Sequence, residues 1–301
     1  MNLFIKIFKK SFGLLTSRII FPPVNMLYEL FHNDYIILTA SVNPMHHNWG
    51  DDISIILARL ISPNTKFIIN RYSWNIKGKD NYLCIGSIIT WMTTSRSIIW
   101  GSGIVYPDQA IKEKPKNVLA VRGPLTRNYL LNYGVNCPEI YGDPALLFPK
   151  YYKPTVNKKY KLGIIPHFRD KNNKFLEKYK NNNDVLIIDV TNIKPWSKFI
   201  DDINSCQNIV SSSLHGIIIS DAYGIPNTWI EFDAGESKRF AFQDYLLSVN
   251  KHIDTPFIIN NNIDVDDLME ECKKWTEPKI DLDLLLSVCP FKTVKKHETI
   301  I

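Results

Sequence analysis

The stretch Ile209-Val210-Ser211-Ser212-Ser213-Leu214-His215-Gly216-Ile217-Ile218-Ile219-Ser220-Asp221-Ala222-Tyr223-Gly224-Ile225-Pro226 constrains this chain more than any other. Two apolar residues lead into a run of serines, as at the end of a buried strand. A His-Gly pair follows, then an apolar run that closes at Gly224 and Pro226. That order reads as strand, tight turn and helix, the helix stopped by glycine and then proline. Free N–H groups and the helix dipole at such a turn favour an anion. The serines add hydroxyl donors, and His215 adds a group that titrates near neutral pH. The same residues also read as an ordinary β–α connection whose serines cap the helix and whose histidine belongs to the core.

The rest of the chain repeats this rhythm. Tyr35 to Ala40, Lys66 to Asn70, Tyr82 to Ile88, Ser97 to Gly103 and Asn117 to Val121 read as strands. Helices are expected from Ile53 to Ile61 and from Leu125 to Tyr133, the second opened by Pro124 and closed by Gly134. Pro144 to Lys161 interrupts the periodicity and reads as a junction. Beyond it, strands are expected at Lys161–Pro166, Asp184–Val190 and Asn227–Phe232. Helices are expected at Asp170–Asn181, Trp196–Gln207, Ser237–Val249, Val265–Trp275 and Leu282–Val288. Strands alternating with helices argue for parallel sheets covered on both faces. The fold expected is therefore α/β, with two domains facing a central cleft: an N-terminal α/β domain over 33–153 and a C-terminal one over 154–290. A basic amphipathic segment (1–32) precedes them and a basic tail (291–301) follows.

A net charge of +6 over 301 residues favours anionic ligands or an anionic membrane surface, and is too small an excess to argue for nucleic acid. Lys6, Lys9, Lys10 and Arg18 fall in a stretch, Met1 to Tyr28, without acidic residues. It reads either as a helix lying on a membrane face or as one packed on its own domain. No run in it is long enough to span a bilayer. The five cysteines are scattered with no CxxC pair, which fits a reducing, cytoplasmic setting and no zinc site.

The polar turns gather where strands should end, and ligands of such sheets bind at the carboxyl ends of strands. Asn48-Trp49-Gly50-Asp51 offers backbone approach at Gly50 and a carboxylate, Asp51, able to take a hydroxyl proton, or simply a turn and cap. Gly101-Ser102-Gly103 could cradle an anion, although it is not GxGxxG. Arg122 stands where a strand becomes a helix, placed to grip a carboxylate or phosphate, or to pair with Asp143. His167 leaves a strand after Pro166 and suits a phosphate contact or an acid/base role. No HxxxH or HxH spacing suggests a metal, and neither a P-loop nor a GxSxG elbow is present.

In this order the motifs resemble the polysaccharide pyruvyl transferase family. The matching stretches are Asn48-Trp49-Gly50-Asp51, Gly101-Ser102-Gly103, Val121-Arg122-Gly123-Pro124-Leu125-Thr126, Gly142-Asp143-Pro144-Ala145, Gly163-Ile164-Ile165-Pro166-His167 and Ser212-Ser213-Leu214-His215-Gly216. The resemblance implies a GT-B-like fold of two Rossmann-type domains. It also implies transfer of pyruvate from phosphoenolpyruvate, the donor substrate, to two hydroxyls of a sugar, giving a cyclic ketal and phosphate with no cofactor. The acceptor would be a lipid-linked or nucleotide-activated precursor of a bacterial surface polysaccharide, met in the cytoplasm or at the inner membrane face. His215 is then expected as the general acid and Asp51 as the base. Arg122, His167, Ser212, Ser213 and Leu214 are expected around the donor, with Asn48, Gly50, Gly101, Gly103 and Asp143 completing the site. Many members carry arginine where Ser213 stands; here either Arg122, His167 and the helix N-terminus carry that charge, or another basic residue reaches in. A glycosyltransferase on the same architecture is the alternative, with Glu231 as a ribose contact; a silent sugar- or membrane-binding protein is a third reading.

Overall fold

The computed structural model describes residues 35–42, 47–71, 78–232, 238–260 and 262–291. These form two five-stranded sheets in which every neighbouring pair is parallel. The first holds β1 (Tyr35–Thr39), β2 (Lys66–Asn70), β3 (Asn81–Leu83), β4 (Ser97–Trp100) and β5 (Asn117–Ala120), in the order β2-β1-β3-β4-β5. The second holds β6 (Tyr160–Ile165), β7 (Val185–Ile187), β8 (Cys206–Ser211), β9 (Asn227–Glu231) and β10 (Phe257–Ile258), in the order β10-β9-β8-β6-β7. Counted from its own first strand, each sheet runs second, first, third, fourth, fifth. The winding reverses between the first and third strands, β1 and β3 in one sheet and β6 and β8 in the other. Loops leaving a sheet at such a point diverge and open a crevice beyond the strand ends.

Helices cover the sheets: α1 (Trp49–Asp52), α2 (Ser54–Ile61), α3 (Ile89–Met92), α4 (Pro124–Asn132), α5 (Lys198–Asn204), α6 (Leu214–Ala222), α7 (Arg239–Ser248), α8 (Val265–Cys272) and α9 (Leu282–Ser287). The strands are apolar on both faces, as helix-covered parallel strands must be. Leu162, Ile164, Ile165, Ile209 and Val210 are all fully buried.

Several elements differ from the sequence expectation. Pairing of β3 ends at Leu83, and the chain turns at Gly86, whose φ is +107°, instead of running on as a strand to Ile88. The stretch taken as a junction opens with a 3-10 helix, Pro144–Lys150, whose residues Pro144 to Phe148 are buried. The polar helix expected over 170–181 is a 3-10 helix confined to Lys174–Tyr179, because Phe175, Leu176 and Tyr179 turn inward. Helix α5 stops at Asn204, since Cys206 already pairs with Tyr160 as the start of β8.

One apolar cluster runs through both halves, joining Leu38, Trp49 and Trp100 to Ile165, Phe199 and Ile217. Trp49 is its pin. Its ring stacks on Phe199 at 4.7 Å, its backbone N–H donates to the Val190 carbonyl, and its indole N–H donates to the Trp196 carbonyl. The end of the described chain crosses back to the first sheet. The Trp100 indole donates to the Leu285 carbonyl, and Phe291 meets Phe67, Tyr82 and Trp100 edge-on. A domain limit at 290 therefore cuts through a returning segment. The amphipathic segment at Met1–Tyr28 and residues 292–301 of the tail lie outside the described residues. Among the described residues no helix is long and apolar enough to cross a membrane.

Candidate active site

Both switch points open into one cavity of about 260 Å³. Ser41 follows β1, Ser87 follows β3, His167 follows β6, and Ser212 and Ser213 follow β8; all five line it. Of the residues singled out from the sequence, Asn48, Asp51, His167, Ser212, Ser213, Leu214 and His215 line the cavity. Gly50, Gly101, Gly103, Arg122, Asp143 and Glu231 do not.

His215 sits in the first turn of α6 and is held from the other half of the molecule. A Cβ on Gly50 would lie 2.0 Å from its Nδ1, so only glycine lets α1 pass this close. Its Nε2 faces Asp143 Oδ2 at 3.6 Å, and neither atom has a hydrogen-bond partner among the described residues. The other Asp143 oxygen accepts from the Ala145 N–H, which caps the 3-10 helix and fixes the carboxylate. The pair sets an imidazole nitrogen against a buried carboxylate across the seam between the halves. Asp51 is oriented by Asn48, whose Nδ2 donates to Oδ2 at 2.9 Å. Burial raises the Asp51 carboxyl above the ordinary value of 3.8, while the charges of His215 and Lys238 and the Asn48 hydrogen bond pull it back.

The cationic end comes from the second half. Lys238, at the N-cap of α7, reaches His167, with Nζ 3.2 Å from Nε2. Burial and the neighbouring charges of Lys238 and Arg169 lower His167 to about 3, so its imidazole is neutral at physiological pH. Burial lowers Lys238 too, with Asp51 acting in the opposite direction. The His167 N–H donates to Ser212 Oγ, and that hydroxyl donates to Asp170 at 2.6 Å. The Ser213 side chain makes no capping bond, and the residue lines the cavity.

Arg122 is not paired with Asp143. It is fully buried, and its Nε donates to Asp244 Oδ2 at 3.0 Å, NH2 donates to the Ile104 carbonyl, and NH1 donates to Ser87 Oγ. Asp244 also accepts from the N–H and hydroxyl of Thr126, so it caps α4 from another helix. The glycines of Gly101-Ser102-Gly103 are packing positions. A Cβ at Gly103 would stand 2.4 Å from the Arg122 guanidinium carbon, and one at Gly101 would stand 2.3 Å from Pro144. Glu231 is forked onto Arg239, with NH2 at 2.8 Å from Oε2.

Lys238, Asp244, Ser87 and Trp91 were not singled out from the sequence. Lys238 carried one readable signal: a cation at a helix N-terminus opposes the helix dipole and needs a reason to be there. Asp244 looked like any helical acid, since nothing local marks it as buried.

The site supports acid/base chemistry beside an anion pocket. The sequence profile of the family described as "Polysaccharide pyruvyl transferase" matches residues 24–233. "Uncharacterized protein L143" of Acanthamoeba polyphaga mimivirus is 31% identical over 221 residues, covering 70% of this chain and 74% of that protein. A crystal structure of a "functional uncharacterized protein KP1_0663" from Klebsiella pneumoniae subsp. pneumoniae NTUH-K2044 aligns at TM-score 0.45 and 14% identity, over 79% of this chain and 98% of that one. With the profile running from before β1 to just past β9 and so through both halves of the cavity, this chain belongs to the polysaccharide pyruvyl transferase family.

Proposed function

We propose that this protein transfers pyruvate from phosphoenolpyruvate to two hydroxyls of a sugar, forming a cyclic ketal and releasing phosphate. The observation that carries this reading is the division of the cavity. The second half contributes Lys238, Arg169 and the start of α6 with His215; the first contributes Asp51 and Asn48. A donor with a carboxylate and a phosphate needs fixed cations and N–H groups, and Lys238, Arg169, Ser212, Ser213 and the first turn of α6 supply them. Lys238 takes the place of the charge missing at Ser213. Arg122 acts behind the cavity by holding Ser87 and docking α7.

His215, set against Asp143, gives a proton to the methylene carbon. The resulting cationic centre at C2 is attacked by the first hydroxyl, whose proton passes to Asp51. A carboxyl raised toward neutrality is the better base. The second hydroxyl then attacks C2 as the C–O bond to phosphate breaks. The donor methylene gains one proton, the diol loses two, and the second leaves with phosphate as hydrogen phosphate. The GT-B-like division, with the acceptor on the 33–153 side and the donor on the 154–290 side, belongs to this proposal. The cavity of about 260 Å³ suits a three-carbon phosphate and is small against the roughly 300–1,000 Å³ of larger ligand sites. Glycosyl transfer has less support, because Glu231, its one named contact, is occupied by Arg239.

The test is phosphorus NMR of the protein with phosphoenolpyruvate and a panel of pyranosides. Phosphate that appears only with a diol acceptor, with a new ketal methyl signal in the proton spectrum, is the expected result. Release of phosphate without ketal, or turnover of a nucleotide sugar instead, would reject it.

A further inference from the structure

Trp91 stands out among the described tryptophans. It is 48% exposed, whereas Trp49, Trp100 and Trp229 are 1–3% exposed. It lies on α3, whose other residues, Ile89, Thr90 and Met92, are 0–3% exposed and root the helix in the first half's core. The turn is tied down further: the Ile89 N–H donates to the Gly103 carbonyl, the Lys112 N–H to the Thr90 carbonyl, and Thr90 Oγ1 to Gln109. The indole is thus held outward by a rigid base at the rim of the active-site cavity, and Tyr106 lines the same wall. A large apolar ring left half in water forgoes part of the burial it would gain against a partner.

The first half's share of the cavity wall has a definite chemistry. Trp91 and Tyr106 are aromatic, Asn48 and the serines are neutral, and Asp51 is a carboxylate. Among the described residues neither lysine nor arginine of the first half lines it, and the cations that do, Lys238 and Arg169, come from the second half. We infer that Trp91 is the stacking platform of the acceptor and that the ring it takes is an uncharged pyranoside. The polarised C–H face of a pyranose meets the negative face of the indole. Its edge hydroxyls then point to Asp51 and Asn48. An acidic sugar would place its carboxylate against Asp51 with no first-half cation among the described residues to meet it. The inference rests on the pyruvyl-transfer reading for the meaning of the site, and it adds which class of sugar enters and what holds it.

The experiment uses the full chain labelled with 5-fluorotryptophan, the Trp91 fluorine resonance being assigned with Trp91→Phe. It is titrated with methyl β-D-galactopyranoside, methyl β-D-glucopyranoside and methyl β-D-glucuronide, with and without phosphoenolpyruvate. A neutral glycoside should move the Trp91 resonance and leave those of Trp49 and Trp100 in place, and the glucuronide should bind at least tenfold more weakly. Trp91→Ala should weaken the neutral glycoside roughly tenfold or more, the usual loss for one stacked ring. Trp91→Phe should stay within about threefold, as expected if stacking carries the contact. Stabilisation of Trp91→Ala by phosphoenolpyruvate should match that of the parent. An unmoved Trp91 resonance with every neutral glycoside, equal or tighter binding of the glucuronide, or unchanged affinity in Trp91→Ala would overturn the inference. If phosphoenolpyruvate fails to stabilise the parent protein, the pyruvyl-transfer reading falls, while the glycoside titration still decides the role of Trp91.

Discussion

A single imidazole links the two halves of this molecule. His215 belongs to the second half by sequence, yet its two faces meet Gly50 and Asp143 of the first. Its Nε2 lies 3.6 Å from the buried Asp143 carboxylate, and both atoms lack any other hydrogen-bond partner among the described residues. In the proposed mechanism Asp143 positions the acid. Asp143→Asn should lower kcat with little change in the KM for phosphoenolpyruvate, by less than the roughly 10²–10⁴-fold expected of His215→Ala. A shift confined to KM would argue against this role. His167 makes a second prediction, in stability. Its folded value of about 3 lies below the ordinary 6.5, so below pH 6.5 the unfolded chain takes up a proton that the folded one refuses. Its contribution is complete above pH 6.5 and is lost as the pH falls toward 3. Urea unfolding at pH 7 and pH 5 should show a smaller acid loss in His167→Gln than in the parent. At this scale the turn residues were legible because serine and histidine after a strand announce themselves. Lys238 and Asp244 were not, because their partners arrive from elements far away in sequence.

The elements were legible where periodicity decided them. The starts of β1, β4, β5, β6 and β9 follow the apolar runs, and α4 is set between Pro124 and Gly134. What tertiary packing decided was hidden: the 3-10 helix at Pro144–Lys150 looked like a linker, yet it lies in the core between the sheets. The Arg122-Gly123-Pro124 motif reads differently at this scale. It is a joint between α4 and α7, built on a fully buried ion pair. Removing one partner of such a pair leaves the other charge uncompensated. Arg122→Met should cost about 3–5 kcal/mol in chemical denaturation, and a compensating Arg122→Met/Asp244→Leu double variant should recover part of it. A loss below about 1 kcal/mol for the single variant would place the energy of the joint elsewhere.

At the scale of the whole molecule, two sheets of one winding order bring their switch points to one cavity. The alternating rhythm announced the two sheets. It could not announce how they dock, since docking depends on Trp49 pinned to Val190 and Trp196, and on α9 and Phe291 crossing back to the first sheet. The cavity is complete only when those contacts hold, because its lining is divided between the halves. Thermal unfolding with phosphoenolpyruvate, compared with UDP-sugars, on the parent chain and on Lys238→Met, tests the donor most directly. At about 100 times its dissociation constant, phosphoenolpyruvate should add roughly 2.7 kcal/mol to the parent's stability and much less to the variant's. Stabilisation by a UDP-sugar and none by phosphoenolpyruvate would contradict pyruvyl transfer, and equal stabilisation of Lys238→Met would remove Lys238 from the donor site.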